Sequence, residues 1–150
     1  MTELRQMFVC IVSESNPCLC LDVSEGPNVF LRERNGGESQ HFLLNRGRIV
    51  SRSQEKALES SIISGKHVLI LSSSSKSKSQ LLNFRDDKTI TDFEGKCLDC
   101  ESGELAEGEA IVLAENKNTP SQKWRAVRFD DPLNRALYHW NCAESCCIIF

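Results

Sequence analysis

The stretch of residues 95–124, GKCLDCESGELAEGEAIVLAENKNTPSQKW, contains the pattern that decides the fold. A short strand-like run, CLDC, lies near its start, and a second run with alternating apolar residues, AIVLAE, lies near its middle. The stretch ends in QKW, where Gln122 is followed two positions later by the aromatic Trp124. Turn-forming residues separate these segments, so the stretch predicts short β-strands joined by turns.

The same order of segments occurs three times along the chain. A Ser-Gln pair precedes an aromatic residue in ESQHF, KSQLLNF and PSQKW, so that Gln40, Gln80 and Gln122 are 40 and 42 residues apart. Upstream lie the runs CLDV, ALES and CLDC, each followed by a second run, NVFLRE, HVLIL or AIVLAE. Each unit opens with one more run, MFVCIV, GRIVSR or KTITDF. This repeat indicates an architecture of three similar units.

Four strand-like runs in each of three units predict an all-β fold of twelve strands. No segment has the apolar periodicity of an amphipathic helix. Closure of three four-stranded units leaves no spare strand edge, which a protein otherwise has to protect. We place the repeats at about residues 6–45, 46–86 and 87–129, within one domain of residues 1–129, and a C-terminal tail at residues 130–150.

The repeated motif resembles the ricin-type β-trefoil family, whose units end in Gln-x-Trp. The resemblance covers residues 7 to about 128 and implies a β-trefoil with pseudo-three-fold symmetry. It also implies that one aromatic residue of each unit points into a shared core, although the second unit has extra spacing after its glutamine. The glutamine amides can donate and accept hydrogen bonds, and we expect them to bond neighbouring backbone. The motif residues are Gln40 and Phe42, Gln80 and Phe84, and Gln122 and Trp124.

Because ricin-type trefoils are mostly lectins, the resemblance implies carbohydrate binding. A sugar site of the family combines an Asp of the CLD strand, an aromatic residue at the end of the next strand, and an Asn before the Gln-x-Trp motif. The Asp accepts hydrogen bonds from sugar hydroxyls, and the ring packs on the apolar face of the sugar. No unit keeps all three residues. These positions hold Asp22, Arg32 and Ser39 in the first unit, Glu59, Leu71 and Ser79 in the second, and Asp99, Ala114 and Ser121 in the third.

The third unit is the favoured ligand site, because it keeps Asp99 and has the longest loop, CESGELAEGEA. Glu101, Asn116 and Asn118 lie near enough in sequence to contribute polar groups. Asp22 is a further candidate in the first unit. An alternative stays open, since Asp side chains often bond the backbone of turns, and both aspartates could serve that purpose alone.

Composition and charge argue against some partners. The chain of 150 residues is 40% hydrophobic, and its 18 basic and 21 acidic residues give a net charge of -3. The charges are scattered, whereas nucleic-acid binding needs clustered Lys and Arg, so we expect no nucleic-acid partner. The apolar run at residues 7–12 is too short for a signal-peptide core or a membrane span, which predicts a cytoplasmic protein.

No catalytic group of residues is evident, and we predict neither enzyme activity nor a cofactor. His41, His67 and His139 are isolated, and solvent-facing strand positions account for the first two. We interpret most of the eight cysteines as small buried residues with reduced thiols, because a cytosolic domain of this size does not need disulfides. The CLDC pair, Cys97 and Cys100, lacks a second pair at ligand spacing, so no metal site is expected.

The last four residues, Cys147-Ile148-Ile149-Phe150, match the prenylation pattern. If the trefoil is complete by residue 129, the tail holds Cys147 on a tether, and Cys146 or Cys142 is a candidate for a palmitoyl group as a second membrane signal. In the alternative, CCIIF pairs with MFVCIV as an extra edge strand, which buries Cys147.

Two functions follow from these observations. The first is a non-catalytic, lectin-like module with partly degenerate sugar sites, which binds a glycan or glycoprotein and is attached to a membrane through a prenyl group. The second is an intracellular trefoil of the cytokine-like or cytoskeleton-binding kind, which binds a protein partner and no sugar. The fold alone does not decide between them.

Overall fold

The computed structural model describes residues 7–128. Within that range it contains twelve strands and three 3-10 helices, with one 3-10 helix before the fourth strand of each unit. The strands are β1 (Phe8–Ser13), β2 (Leu19–Asp22), β3 (Phe30–Glu33), β4 (Phe42–Asn45), β5 (Arg48–Ser51), β6 (Ala57–Ile63), β7 (Lys66–Ser72), β8 (Asn83–Phe84), β9 (Ile90–Thr91), β10 (Cys97–Cys100), β11 (Ile111–Ala114) and β12 (Trp124–Arg128). The 3-10 helices are Glu38–Gln40, Lys78–Gln80 and Pro120–Gln122.

The predicted all-β fold is confirmed, and its arrangement is a β-trefoil. The second and third strands of each unit pair as a hairpin, namely β2–β3, β6–β7 and β10–β11. The first and fourth strands form a barrel, in which β1 pairs with β4, β4 with β5, and β8 with β9. No helix in residues 7–128 is long and apolar enough to cross a lipid bilayer.

The barrel closes where the first and last strands meet. β1 and β12 pair antiparallel from Val9↔Arg128 to Ser13↔Trp124, and the other edge of β1 pairs with β4 and β2. Both edges of β1 are therefore paired within the described residues. The alternative in which CCIIF pairs with MFVCIV concerns residues outside the described range and stays a prediction.

The predicted tail, residues 130–150, lies outside the described residues. The candidate lipidation sites Cys146 and Cys147 lie there as well. Their modification stays a prediction.

The core fills the barrel with apolar side chains from all three units. Phe42 and Trp124 are 0% and 1% exposed, as the motif predicts. The indole Nε1 of Trp124 donates a hydrogen bond of 3.0 Å to the carbonyl of Leu98, so its polar group is satisfied inside the core. Burial of these apolar side chains is the dominant favourable term in folding.

The prediction that Phe84 points into the core is wrong. Phe84 is 42% exposed, whereas Leu82 is 2% exposed and belongs to the core. Leu82 lies two positions after Gln80, which is the spacing of the other two motifs, so the second unit has Gln-x-Leu in place of Gln-x-aromatic. Phe84 corresponds to Leu44 of β4, which is 43% exposed. The core position requires apolar volume of suitable shape, and an aliphatic side chain supplies it.

Four cysteines are buried free thiols, Cys10, Cys20, Cys97 and Cys100. Burial raises the pKa of Cys100 to about 12, so this thiol stays protonated and unreactive at neutral pH. Cys18 is also buried but is disulfide-bonded, so the expectation of reduced cysteines is wrong for this residue.

His41 does not face solvent, contrary to expectation, and is only 1% exposed. Its ring Nδ1 lies 3.4 Å from the Nη1 of Arg52. Burial, and secondly the charge of Arg52, lower the pKa of His41 to about 4. The imidazole is therefore neutral at physiological pH.

Replacing Leu82 by Ala is expected to destabilise the protein far more than replacing Phe84 by Ala. Removal of the buried Leu82 side chain leaves a cavity, which lowers the free energy of unfolding by about 2–4 kcal/mol. Phe84→Ala changes an exposed position and lowers it by less than about 1 kcal/mol. Urea unfolding followed by circular dichroism measures both values. A larger loss for Phe84→Ala would contradict the core position of Leu82.

His41 is expected to make the protein less stable in mild acid. The unfolded chain binds a proton at this residue near pH 6.5, whereas the folded protein does so only near pH 4. Because the unfolded state binds more protons between these values, the free energy of unfolding falls as the pH drops through this window, by at most about 1.4 kcal/mol per pH unit. Urea unfolding at a series of pH values measures this slope.

Two variants serve as controls for this pH dependence. His41→Gln should lose the contribution of the imidazole to the slope, whereas His67→Gln, at a half-buried position, should keep it. Equal slopes for His41→Gln and the unmodified chain would show that His41 is not the titrating group.

Candidate ligand site

Each unit places an acidic side chain of its second strand against the glutamine of its motif. The glutamine Nε2 donates to the carboxylate at 3.0 Å in the first unit, 2.8 Å in the second and 3.0 Å in the third. All three glutamines are 0% exposed. The pairs are Asp22–Gln40, Glu59–Gln80 and Asp99–Gln122.

The rest of each glutamine amide bonds the loop between the third and fourth strands. Its Oε1 accepts from a backbone N–H five residues earlier, at 2.9, 2.9 and 2.8 Å. Its Nε2 also donates to a carbonyl seven residues earlier, at 2.8, 2.8 and 2.7 Å. A buried amide without partners is costly, so these bonds fix the position of each glutamine and of the acid beside it. The N–H groups belong to Asn35, Ser75 and Lys117, and the carbonyls to Glu33, Ser73 and Glu115.

Asp99 and Asp22 have nearly the same surroundings. Besides its bond with Gln122, Asp99 accepts the N–H of Cys100 at 2.7 Å, and it is 7% exposed. Asp22 accepts the N–H of Ser24 at 2.7 Å and is 3% exposed. A carboxylate can accept about four hydrogen bonds, so each aspartate keeps acceptor capacity, although little of either side chain faces solvent.

The structure does not bring the other predicted ligand residues to Asp99. Glu101 forms its ion pair, at 3.2 Å, with the lysine that begins β7. Asn116 accepts the N–H of Asn118 at 2.9 Å and donates to Asp87 at 3.3 Å. The residues predicted to form one site are therefore apart: Asp99 is buried, whereas Glu101, Asn116 and Asn118 make separate contacts at the surface.

The positions that would carry a sugar-stacking ring hold side chains with other contacts. Arg32 of the first unit forms ion pairs with Glu25 and, at 3.1 Å, with Glu107 of the third unit. Leu71 of the second unit is 3% exposed and belongs to the core. Ala114 of the third unit presents only a methyl group. None of these three positions offers an exposed ring.

Two acidic residues have contacts that the sequence reading missed. Glu107 accepts from Arg32 and, at 2.6 Å, from the N–H of Glu33, so the long loop of the third unit contacts the first unit. Asp87 accepts the hydroxyl and the N–H of Thr89 at 2.6 and 3.0 Å, and these bonds lower the pKa of Asp87. The Asp-x-Thr spacing is typical of a turn of this kind and could have identified Asp87. No sequence signal relates Glu107 to Arg32.

A small cleft lies between the β8–β9 turn and β12. It has a volume of about 170 Å³, and its lining includes the exposed ring of Phe84 together with Arg85, Lys88 and Thr89. None of its lining residues is acidic, so it lacks the carboxylate of a family sugar site. Within residues 7–128, no group of three or more His, Cys, Asp or Glu side chains could hold a metal ion.

The sequence matches one known family along most of its length. The family model of the ricin-type beta-trefoil lectin domain matches residues 7–124. No curated protein matches the chain.

Several solved structures share the fold. The designed three-fold symmetric protein ThreeFoil has a TM-score of 0.67 and 24% identity, with coverage of 80% of this chain and 97% of that one. The C-half of the earthworm R-type lectin, in complex with GalNAc, has a TM-score of 0.69 and 18% identity, with coverage of 81% and 98%. A mosquitocidal holotoxin has a TM-score of 0.73 and 15% identity; the match covers 89% of this chain and only 18% of the toxin. Because the sequence identities with these three structures are below 25%, the structural similarity shows only that the fold is shared.

Replacing Gln122 by Leu is expected to lower the free energy of unfolding by about 2–4 kcal/mol, because each buried polar group left unpaired costs about 1–3 kcal/mol. The substitution removes the partners of the Asp99 carboxylate, the Glu115 carbonyl and the Lys117 N–H. Gln54→Leu is the control, since the exposed Gln54 donates one hydrogen bond of 3.0 Å to a backbone carbonyl. Its loss should stay below about 1 kcal/mol. Urea unfolding measures both, and equal losses would contradict a structural role of Gln122.

Proposed function

The chain belongs to the ricin-type beta-trefoil lectin family, since the family model matches residues 7–124. From this membership we propose that the protein is a non-catalytic module that binds carbohydrate. The earthworm lectin that shares its fold was solved with GalNAc, and a bitter gourd homologue of type II RIPs was solved with α-methyl-D-galactoside. Sugars of the galactose type are therefore the first ligands to test.

The family match over residues 7–124 carries this proposal, and the Asp99–Gln122 pair is the site that we propose for the sugar. Gln122 donates to one carboxylate oxygen at 3.0 Å and the backbone donates to the other at 2.7 Å, which fixes the orientation of the carboxylate. The remaining acceptor sites can receive sugar hydroxyls. Residues 101–104, which follow directly, are all exposed, so a ligand can approach β10 from this side.

The expected binding is weak, because the other elements of a sugar site are degenerate. Ala114 gives no ring against which the sugar can pack, and such packing supplies the apolar area that offsets desolvation of the hydroxyls. In the first unit, the corresponding position holds Arg32 in two ion pairs. We therefore expect a dissociation constant in the millimolar range, equivalent to about -4 kcal/mol.

Asp99→Asn is expected to abolish binding of GalNAc and α-methyl-D-galactoside, because the amide replaces one acceptor oxygen by a donor. Titration followed by NMR chemical shifts detects binding in this affinity range. Asp22→Asn is the matched control, since Asp22 has the same buried glutamine bond of 3.0 Å and should show a similar loss of stability. It should leave sugar binding unchanged.

Two results would contradict the proposal. One is a glycan array and an NMR titration in which the unmodified chain binds no sugar. The other is equal sugar binding by Asp99→Asn and the unmodified chain, which would place the ligand elsewhere.

A second candidate function, an intracellular trefoil that binds a protein and no sugar, is favoured by a different feature. Apolar side chains from all three units line an open cleft of about 260 Å³. Such a surface fits protein contacts better than the hydroxyl groups of a sugar. Absence of any sugar response, together with binding of a different protein through this cleft, would favour this function over the first.

A further inference from the structure

The third strands of the three units meet at one end of the trefoil and surround an open cleft of about 260 Å³. Backbone bridges join these strands, or the residues just before them, in pairs, at Asn28↔Ile70, Phe30↔Ala110 and Val68↔Val112. The apolar lining comes from all three units and includes Phe30, Ile63, Val68, Ile70, Ala110 and Val112. Ile63 is exposed and the other five are half-buried, so this end of the molecule presents apolar side chains to solvent.

One wall of the cleft is a hairpin that is longer than the other two. β6 and β7 form seven residue pairs, from Ala57↔Ser72 to Ile63↔Lys66, whereas β2–β3 and β10–β11 form four each. Ile62 and Ile63 at its tip are 62% and 53% exposed, the highest values for large hydrophobic side chains in residues 7–128. Side chains alternate along a strand, so Ile63 faces the cleft and Ile62 faces the opposite side.

The rim of the cleft carries one charge of each sign. Lys66 and Glu101 are 61% and 50% exposed and 3.2 Å apart, and they are the only charged residues among those that line the cleft. The face therefore has no net charge that would repel an identical face. Across a two-fold axis, Lys66 of each copy can approach Glu101 of the other, so the charge pattern is self-complementary.

We propose that this cleft face, formed by the six apolar residues with Lys66 and Glu101, is the interface of a homodimer. A two-fold axis packs the cleft face of one copy against that of the other, with Ile63 of each hairpin in contact with the partner's cleft. Apolar side chains at the centre and charged pairs at the rim correspond to the anatomy of stable interfaces. The proposal does not depend on carbohydrate binding.

The first experiment is sedimentation equilibrium of the full chain without reductant, so that the disulfide of Cys18 stays intact, and non-reducing gel electrophoresis of the same sample excludes disulfide-linked oligomers. We expect a reversible dimer of twice the monomer mass. Ile63→Lys should raise the dimer dissociation constant by at least about tenfold, because it places a charge in the apolar centre of the interface. Ile62→Lys is the matched control, since it changes another exposed isoleucine on the other side of the same hairpin, and it should leave the dissociation constant within about twofold.

The second experiment exchanges charges at the rim. Lys66→Glu and Glu101→Lys each give a face of one sign, so each variant alone should dimerise at least about tenfold more weakly. A mixture of the two variants should form heterodimers about as tightly as the unmodified chain, because the faces are then opposite in charge. A folding defect would persist in the mixture, because each chain still carries its two like charges. Restored dimerisation would therefore mean that the charges act at the interface. Both residues are exposed, so the test holds even if Ile63→Lys does not fold.

Three results would overturn the proposal. In the first, the unmodified chain is a monomer at every concentration up to about 100 μM. Ile62→Lys could weaken the dimer as much as Ile63→Lys does. The mixture of charge variants could fail to dimerise.

Discussion

The trefoil depends on one interaction that each unit repeats, the hydrogen bond from the motif glutamine to the acid of the second strand. Its three copies have nearly equal lengths, 3.0, 2.8 and 3.0 Å, although one acid is a Glu and two are Asp. The glutamine also bonds the loop that leads to the fourth strand. It therefore sets the point at which that strand enters the barrel and delivers Phe42, Leu82 or Trp124 to the core. A buried network of this kind specifies one structure only when all of its groups are paired.

The same interaction explains why an Asp in the CLD strand is weak evidence for a sugar site. Asp22 and Asp99 each satisfy a buried glutamine and a backbone N–H. Fold stability alone is thus a sufficient reason for an acid at this position. A more informative position is the stacking position, because an exposed ring there would point to a ligand. This chain has Arg32, Leu71 and Ala114 at that position.

The fold could be predicted from sequence because an architecture of three similar units requires the motif to recur at a regular interval. The motif glutamines are 40 and 42 residues apart. Phe84 is the first aromatic residue after Gln80, but the two-residue spacing of the other two motifs selects Leu82 as the core residue. The candidate site was harder to predict. Asn116 and Glu101 are close to Asp99 in sequence, but their contacts with Asp87 and Lys66 depend on how separate strands pack. The apolar cleft likewise depends on the pairing of third strands from different units, which no local pattern reports.

Because β1 pairs with β12, the two ends of the described chain lie side by side, separated by one strand spacing of about 5 Å. A domain that the chain enters and leaves at one point can be inserted into a longer protein, or joined to it, without stretching either part. The same geometry makes a trefoil tolerant of circular permutation, since the old ends can be linked and new ends opened between units. The match to a mosquitocidal holotoxin covers 18% of that chain, so a trefoil of this kind accounts for only a part of it.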